Sequence, residues 1–433
     1  MKLTERLSDS RKKSDGTSAK LSGEPSAVLK GRLHTYVVDK LDLKAVAEVD
    51  PKRMRDRLRP NVQVILQGDA EVRELSQEAA DALLDSILDE IVGLGPLEPL
   101  LSDPAISDIL VNNFENIFVE RAGRLEKSAI RFADNQHLLN IIQRIVSQVG
   151  RRVDASSPMV DARLADGSRV NAVVPPIAAD GPILSIRRFG GKKMGAQDLI
   201  NRGVATPDMM RYLAAAVHGK SNLLVSGGTG AGKTTLLNIL SGFIPKEERV
   251  ITIEDSAELS LQGHHVVRME ARPANLEGKG AVDIRACVRN ALRMRPDRVV
   301  IGEVRGGEVL DMLQAMNTGH EGSMATVHAN TPRDAVDRLM MMLALSGVTI
   351  SSQSMAQFIA RSVRVVVQQA RFSDGKRRIT HIAEVGDYEG ERVQVNNIYT
   401  FSAQTQSYTY HRGSTMQHRF REHGIDLDLE TLT

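Results

Sequence analysis

One stretch constrains this chain more than any other: Leu223 to Leu240, LLVSGGTGAGKTTLLNIL. A strand-like apolar run ends in glycines and a helix-like run starts at once, so the backbone must turn sharply between them. Gly227, Gly232, Lys233 and Thr234 satisfy G-x-x-x-x-G-K-[ST], the loop whose N–H groups and following helix N-terminus cradle phosphates. Gly228, Thr229, Gly230, Ala231 and Thr235 complete that cradle. Glycines suit it because a Cβ would collide with a nucleotide. Lys233 is expected to reach the β and γ phosphates of ATP, and the Thr234 hydroxyl to bind Mg²⁺. The bland alternative is a glycine-rich turn with a surface lysine, and the strand-to-helix setting weighs against it. The dinucleotide pattern G-x-G-x-x-G is not matched, which argues against a NAD enzyme.

Three more clusters fall at the ends of strand-like runs, where open α/β sheets bind ligands. Ile253-Glu254-Asp255-Ser256-Ala257-Glu258 follows VIT, and Gly302-Glu303-Val304-Arg305 follows Val299-Val300-Ile301. Acids beside a triphosphate hold Mg²⁺ or orient the attacking water, whereas ordinary polar strand ends are the plain alternative. Glu254 and Asp255 are candidates for the nucleotide side. Glu258 and Glu303 are equally good candidates for the base, and Glu303 also for Mg²⁺ through water. Glycine stands at 302, where an aspartate is more familiar. The third cluster places His320 and His328 on either side of a short strand, either as γ-phosphate sensors linked to Glu303 or as structural histidines.

The rest of the chain reads as several folded regions. Residues 1–27 mix Ser, Lys, Asp, Gly and Pro without periodicity, a disordered basic tail. Residues 1–60 carry 15 Lys/Arg against 9 Asp/Glu; with a whole-chain charge of +2, the remainder is −4. Residues 28–101 read as helical. A stripe through Val28, Leu29, Leu33, Tyr36, Val37, Leu41 and Leu43 comes first, then a short run from Arg53 to Leu58. A long helix follows, capped by Ser76 and ended by Gly93-Leu94-Gly95-Pro96. Residues 102–190 shift toward period two in ISDILVNN, IFVER, RVNAVV and ILSIRRF, with one helix at Asn135 to Val149, an α+β domain. After a linker at 191–204, residues 205–433 alternate strand-like LLVS, VITIE, HVVRM, RVVIG and MATVH with helical runs. That predicts an α/β domain with a largely parallel sheet. The longest apolar run, Leu339 to Leu345, is far short of the roughly 20 residues of a membrane helix, and the N-terminus has no apolar signal core. The expectation is a chain that neither spans a membrane nor carries a signal peptide. Cys287 alone permits no intramolecular disulfide and no cysteine-built zinc module.

In order and wording these blocks resemble the secretion ATPase superfamily of type II and type IV secretion and type IV pilus systems. The matching blocks are a Walker A motif at Gly227 to Thr235, an acidic box at Glu254 to Glu258, a Walker B motif at Val299 to Arg305 and a histidine box at Gly319 to Asn330. GLGPLEPLL, VGRRVDASSPMVDARLADGSRVNAVVPP, LSIRRF and LRMRPDRVVIGEVRGGE are similar to CpaF-type ATPases of tight-adherence (Flp) pilus assembly. The resemblance covers residues 28 to 400. It implies a RecA-like ATPase domain preceded by a PAS-like domain, assembled as a homohexamer. It also implies a Mg²⁺-dependent ATPase motor that sits in the cytoplasm at the inner-membrane face, held there by integral membrane platform proteins, and drives pilus assembly, retraction or secretion. The family supplies arginines to the γ-phosphate at a subunit boundary; Arg163, Arg169, Arg187 and Arg188 lie in the matching region, and Arg187 and Arg188 are the candidates carried forward. The alternatives are a nucleic-acid translocase on the same core and a nucleotide-gated scaffold. A chain that is −4 outside its leader, with 3% aromatics and no tryptophan, is not expected to bind nucleic acid.

Overall fold

The computed structural model describes residues 27–40, 51–121, 123–189, 194–261, 265–272, 274 and 279–432. The basic tail up to residue 26, Leu41 and Leu43 of the first stripe, and Gly190 to Lys193 of the linker lie outside the described residues. The chain divides into two compact units, one ending at Gly191 and one starting at Lys192.

The first unit opens with helices α1 (Ala27–Lys40), α2 (Pro51–Gln67), α3 (Ala70–Arg73) and α4 (Gln77–Val92). Leu33, Val37, Leu58, Val62, Leu66, Leu84, Ile87 and Leu88 form their shared core. Helix α2 outruns the expected Arg53–Leu58 and carries Pro60 inside it. Proline costs a helix an N–H and a clash, but Leu58, Val62 and Leu66 recur at i, i+4 and i+8 on the buried face and outweigh that cost. Ser76 caps α4 as expected, its hydroxyl accepting from Ala79 N at 3.2 Å. A turn through Gly95–Leu97 and helix α5 (Glu98–Ser102) lead into the sheet.

Strands β1 (Ile106–Val111), β2 (Ile117–Arg121), β3 (Arg124–Lys127), β4 (Met159–Arg163), β5 (Arg169–Val173) and β6 (Ile183–Arg187) pair antiparallel in the order β3-β2-β1-β6-β5-β4. Helix α6 (Asn135–Gln148) covers one face: Leu138, Ile141, Ile142 and Ile145 pack on Ile109, Val119, Val170 and Ile186. On the other face Arg163, Arg169 and Arg187 are register neighbours across three strands, with Asp108 opposite Arg187.

The second unit begins with α7 (Ala196–Asn201) and α8 (Pro207–His218). Its first strands and helices are β7 (Leu223–Gly227), α9 (Lys233–Ser241), β8 (Val250–Glu254), β9 (Val266–Glu270), α10 (Ile284–Ala291), β10 (Arg298–Ile301), α11 (Glu308–Asn317), β11 (Met324–Val327), α12 (Pro332–Leu345) and α13 (Ser352–Ser362). It ends with β12 (Val365–Arg371), β13 (Arg377–Glu389), β14 (Arg392–Ser402), β15 (Ser407–Tyr410) and α14 (Gln417–Glu422). The nine strands run β15-β14-β13-β12-β7-β11-β10-β8-β9. From β12 to β9 every pairing is parallel, and β13, β14 and β15 extend the sheet antiparallel. Successive residues of β7 feed opposite faces: Leu223 and Val225 join one core, Leu224 the other. Burial on both faces explains why the inner parallel strands β7, β8, β10 and β11 read as apolar runs, whereas β9 at the sheet edge is only partly buried. No helix among the described residues is long and apolar enough to cross a membrane.

Candidate functional site

Strand β7 delivers the chain to Gly227, and α9 starts at Lys233, so residues 228–232 form a tight loop at the carboxyl end of the parallel sheet. Gly230 and Gly232 hold φ of +70° and +98°, a region that penalises any side chain. At Gly227 the constraint comes from the neighbouring strand, since a Cβ there would stand 2.4 Å from the Gln369 carbonyl of β12. Around Gly228 the space is open. The loop closes on itself: Ala231 N donates to the Gly228 carbonyl at 3.3 Å and Lys233 Nζ to the same oxygen at 3.1 Å. The first turn of α9, with Thr234 half-buried and Thr235 exposed, presents N–H groups that a helix start leaves unpaired. An anion entering the loop takes over donors now turned to Gly228.

Beside the loop runs a chain of alternating charge. Lys233 is buried, and its Nζ lies 3.3 Å from His328 Nε2, just past the end of β11. The same Nε2 lies 3.0 Å from Glu303 Oε1, beyond the end of β10. Glu303 Oε2 accepts from Arg305 Nη2 at 2.7 Å, and Arg305 Nη1 stands 3.4 Å from Asp255 Oδ2. Burial and the Lys233 charge hold the His328 imidazole below its ordinary pKa, and only Glu303 opposes them. His328 Nε2 thus faces both the Lys233 ammonium and the Glu303 carboxylate, donating to Glu303 in the tautomer protonated there and accepting from Lys233 in the other. Burial raises the Glu303 carboxyl, but the Arg305 hydrogen bond and the positive charges of Arg305 and Lys233 hold it below the usual carboxylate range. Glu303 is thus ionised at neutral pH.

The acids of the other box divide by burial. Asp255 is exposed and faces Arg305. Glu254 is 3% exposed, and its carboxylate accepts from Glu258 N at 2.9 Å and Leu259 N at 3.0 Å. That places Glu254 as the cap of its own loop in place of the nucleotide-facing position expected for it. It also accounts for Gly302: a Cβ there would meet Glu254 Cγ at 2.7 Å. Glu258 sits half-buried on the loop that Glu254 caps, and Asn238 of α9 holds the next turn by accepting from Ser260 N at 2.9 Å.

The two histidines separate. His320 precedes β11, its Nδ1 2.9 Å from the Pro296 carbonyl. A four-residue strand puts roughly 10 Å between that end and His328, so the structure joins only His328 to the lysine and the acid. Arg187 and Arg188 belong to the first unit. Arg187 is exposed at the end of β6, while Arg188 donates through its backbone to Ser107 O at 2.9 Å and through its guanidinium to the Asp103 carbonyl.

The residues present fit Mg²⁺. Thr234 and Glu303 offer hard oxygen donors, and an ion that keeps water and phosphate ligands needs few from protein. No group of three or more His, Cys, Asp or Glu among the described residues is placed to hold a metal alone.

Sequence reasoning missed three parts of the site's surroundings. Arg305 was legible as part of its box but not as the partner of Glu303. Arg377, whose Nε donates to the Gly230 carbonyl at 2.9 Å, and Gln369 come from strands about 140 residues beyond the loop. No local pattern marks them.

Fold and site together define a phosphate-loop protein on an α/β core. A family model described as type II/IV secretion system protein matches residues 90–423. A putative conjugal transfer protein of Mycobacterium tuberculosis is 41% identical over 316 residues, 72% of this chain and 89% of that one. Type IV secretion system protein VirB11 of Brucella suis is 32% identical over 320 residues, 67% of this chain and 88% of that one. The X-ray structure of the Yersinia pseudotuberculosis ATPase DotB matches with a TM-score of 0.50 at 18% identity, covering 73% of this chain and 81% of that one, a likeness of fold alone. The chain belongs to the type II/IV secretion system protein family, with a RecA-like core preceded by a helical N-terminal region.

Proposed function

We propose that this chain is a Mg²⁺-dependent ATPase motor of a pilus-assembly or secretion apparatus, working as a homohexamer. The observation that carries the reading is the linked set Lys233, His328 and Glu303 beside a self-closed phosphate loop. A triphosphate offers Lys233 a stronger acceptor than Gly228 O, and Glu303, ionised, is placed to orient the attacking water and take its proton. His328 touches both, so it senses whether Lys233 has moved. The chemistry Mg²⁺ supplies when held by Thr234 and the phosphates, with Glu303 near, is neutralisation of charge on the phosphate oxygens. Glu258 remains the second candidate base, from the loop capped by Glu254.

The row Arg163, Arg169 and Arg187, half-buried at its first two members and exposed at Arg187, supports a role for the first unit, the PAS-like domain of this reading, in meeting a neighbour's nucleotide. The motor then sits at the cytoplasmic face of the inner membrane through integral membrane platform partners. Tight-adherence pilus assembly is the specific setting. The Mycobacterium tuberculosis relative, named a putative conjugal transfer protein, favours a second setting in conjugal transfer; hydrolysis stimulated by DNA would favour it, and hydrolysis indifferent to DNA the first.

Lys233→Ala tests the core claim. Losing two charge-assisted hydrogen bonds to phosphate weakens nucleotide handling by at least about a hundredfold, with the melting temperature unchanged. Hydrolysis at the wild-type rate in that variant refutes an ATPase built on this loop.

A further inference from the structure

The phosphate loop is held from outside by the hairpin of β12 and β13. Strand β12 lies directly beside β7, with Gln369 in register with Gly227, so its end runs level with the loop. Arg371 closes β12 and Arg377 opens β13 as register partners. Arg377 Nε donates to the Gly230 carbonyl at 2.9 Å, its Cδ stands 3.2 Å from where a Cβ on Gly232 would be, and Arg371 Nη1 stands 3.7 Å from that point on Gly230. The hairpin is itself fixed. Arg378, buried, lies against the rings of both Phe372 and Phe401 at 5.0 and 5.2 Å and pairs with Asp374 at 3.1 Å across the turn.

We propose that Arg377 is a positioning residue that presets the phosphate loop, within its own subunit, for the diphosphate shared by ADP and ATP; the inference rests on the nucleotide reading above. A peptide unit is planar, so the Gly230 carbonyl and the Ala231 N–H point opposite ways. A guanidinium holding the carbonyl toward the hairpin turns the N–H inward, where it now meets Gly228 O at 3.3 Å. A bound phosphate inherits that aimed donor. Without Arg377 the peptide beside a glycine of positive φ is free to rotate, and nucleotide binding must order it. The buried Gln369 amide of the same hairpin flanks Gly232, and its Oε1 has no hydrogen-bond partner among the described residues.

A group that touches the γ-phosphate discriminates ATP from ADP, whereas one that aims the loop does not. The test uses the full chain with Arg377→Ala, Arg377→Gln and Arg377→Lys, titrated calorimetrically with Mg-ADP and Mg-ATP, alongside steady-state hydrolysis. Alanine and glutamine weaken both nucleotides by a similar factor, about tenfold, the worth of one charge-assisted hydrogen bond. KM rises with them, kcat falls by a smaller factor, and lysine restores part of the affinity. Arg377 is exposed, so melting without nucleotide stays at the wild-type value. Affinities within twofold of wild type overturn the inference, as does loss confined to ATP, or a lower melting temperature with both affinities intact. A wild-type chain that binds neither nucleotide refutes the ATPase reading and the inference with it, whereas a wild type that binds both alongside unaltered variants refutes the inference alone.

Discussion

Replacing Glu303 with glutamine separates chemistry from binding more sharply than any other change at this site. The side chain keeps its length and retains polar atoms to face His328 Nε2, now 3.0 Å from Glu303 Oε1. Arg305 loses a carboxylate at 2.7 Å but keeps Asp255 at 3.4 Å, and these are solvated pairs, so fold stability changes by less than about 1 kcal/mol. What disappears is the negative charge among Lys233, Arg305 and His328. A triphosphate then meets a more positive site, so ATP binds as well as before or tighter. Removing a positioned base costs about 10²- to 10⁴-fold in rate, or about 3–5 kcal/mol at 1.36 per decade. Single-turnover hydrolysis with nucleotide affinity measured separately reads both numbers. The imidazole supplies an independent check: Glu303 is its one stabiliser in the protonated form, so the His328 titration, already below its ordinary value, moves to still lower pH in the variant. Turnover within tenfold of wild type, or binding lost together with turnover, refutes the assignment and turns attention to Glu258.

Two further outcomes follow from the same geometry. Arg298 is fully buried, paired with Glu248 at 2.5 and 3.0 Å and bonded to the Val217 and Gly322 carbonyls. Arg298→Met strands Glu248 and should cost about 3–5 kcal/mol in urea unfolding, toward the lower figure because Glu248 reaches some solvent, with partial recovery on adding Glu248→Gln. The trans-arginine proposal predicts that an Arg187→Ala/Arg188→Ala variant and Glu303→Gln, each nearly inactive, regain hydrolysis when mixed under verified subunit exchange; activity that stays at the separate levels at every ratio removes it.

How far the sequence was legible depended on whether a residue's job is done locally. The loop at Gly227 to Thr235 is local by necessity, since one turn must both bend and bind, and helix α4 announced itself through its cap and stripe. The inner parallel strands were readable as apolar runs because both faces are buried. Strand β3 was not, because all four of its residues are exposed and no alternation survives. The continuation of α2 through Pro60 was hidden by a rule of local propensity that tertiary burial overrode. His320 and His328 look equivalent in sequence, and only the direction of β11 tells which one meets Lys233. Arg377 could not be found at all, since the pairing of β12 with β7 is what brings it to the loop.

The glycine at 302 shows how a departure from a familiar pattern can be read once neighbours are known. Taken along β10 alone, it is an acid missing from the strand that carries Glu303. Across the sheet, Ile301 pairs with Ile253, so the next residue of each strand, Gly302 and Glu254, stand side by side at the carboxyl end. The Glu254 side chain fills the space a residue-302 side chain would need, and Gly302 N donates to Ile253 O at 2.8 Å. From there the Glu254 carboxylate caps the N–H groups of Glu258 and Leu259 and so sets the path of the loop bearing Glu258. The acidic box and the Glu303 box, separate in sequence, are therefore one packed unit. A side chain introduced at 302 must push Glu254 aside, release that cap and move Glu258, while Glu303 keeps its own hydrogen bonds to Arg305 and His328. Of these two acids, Glu303 is the one whose position does not depend on that cap and the one linked through His328 to the lysine, and those are the grounds on which the proposal gives the water to it rather than to Glu258.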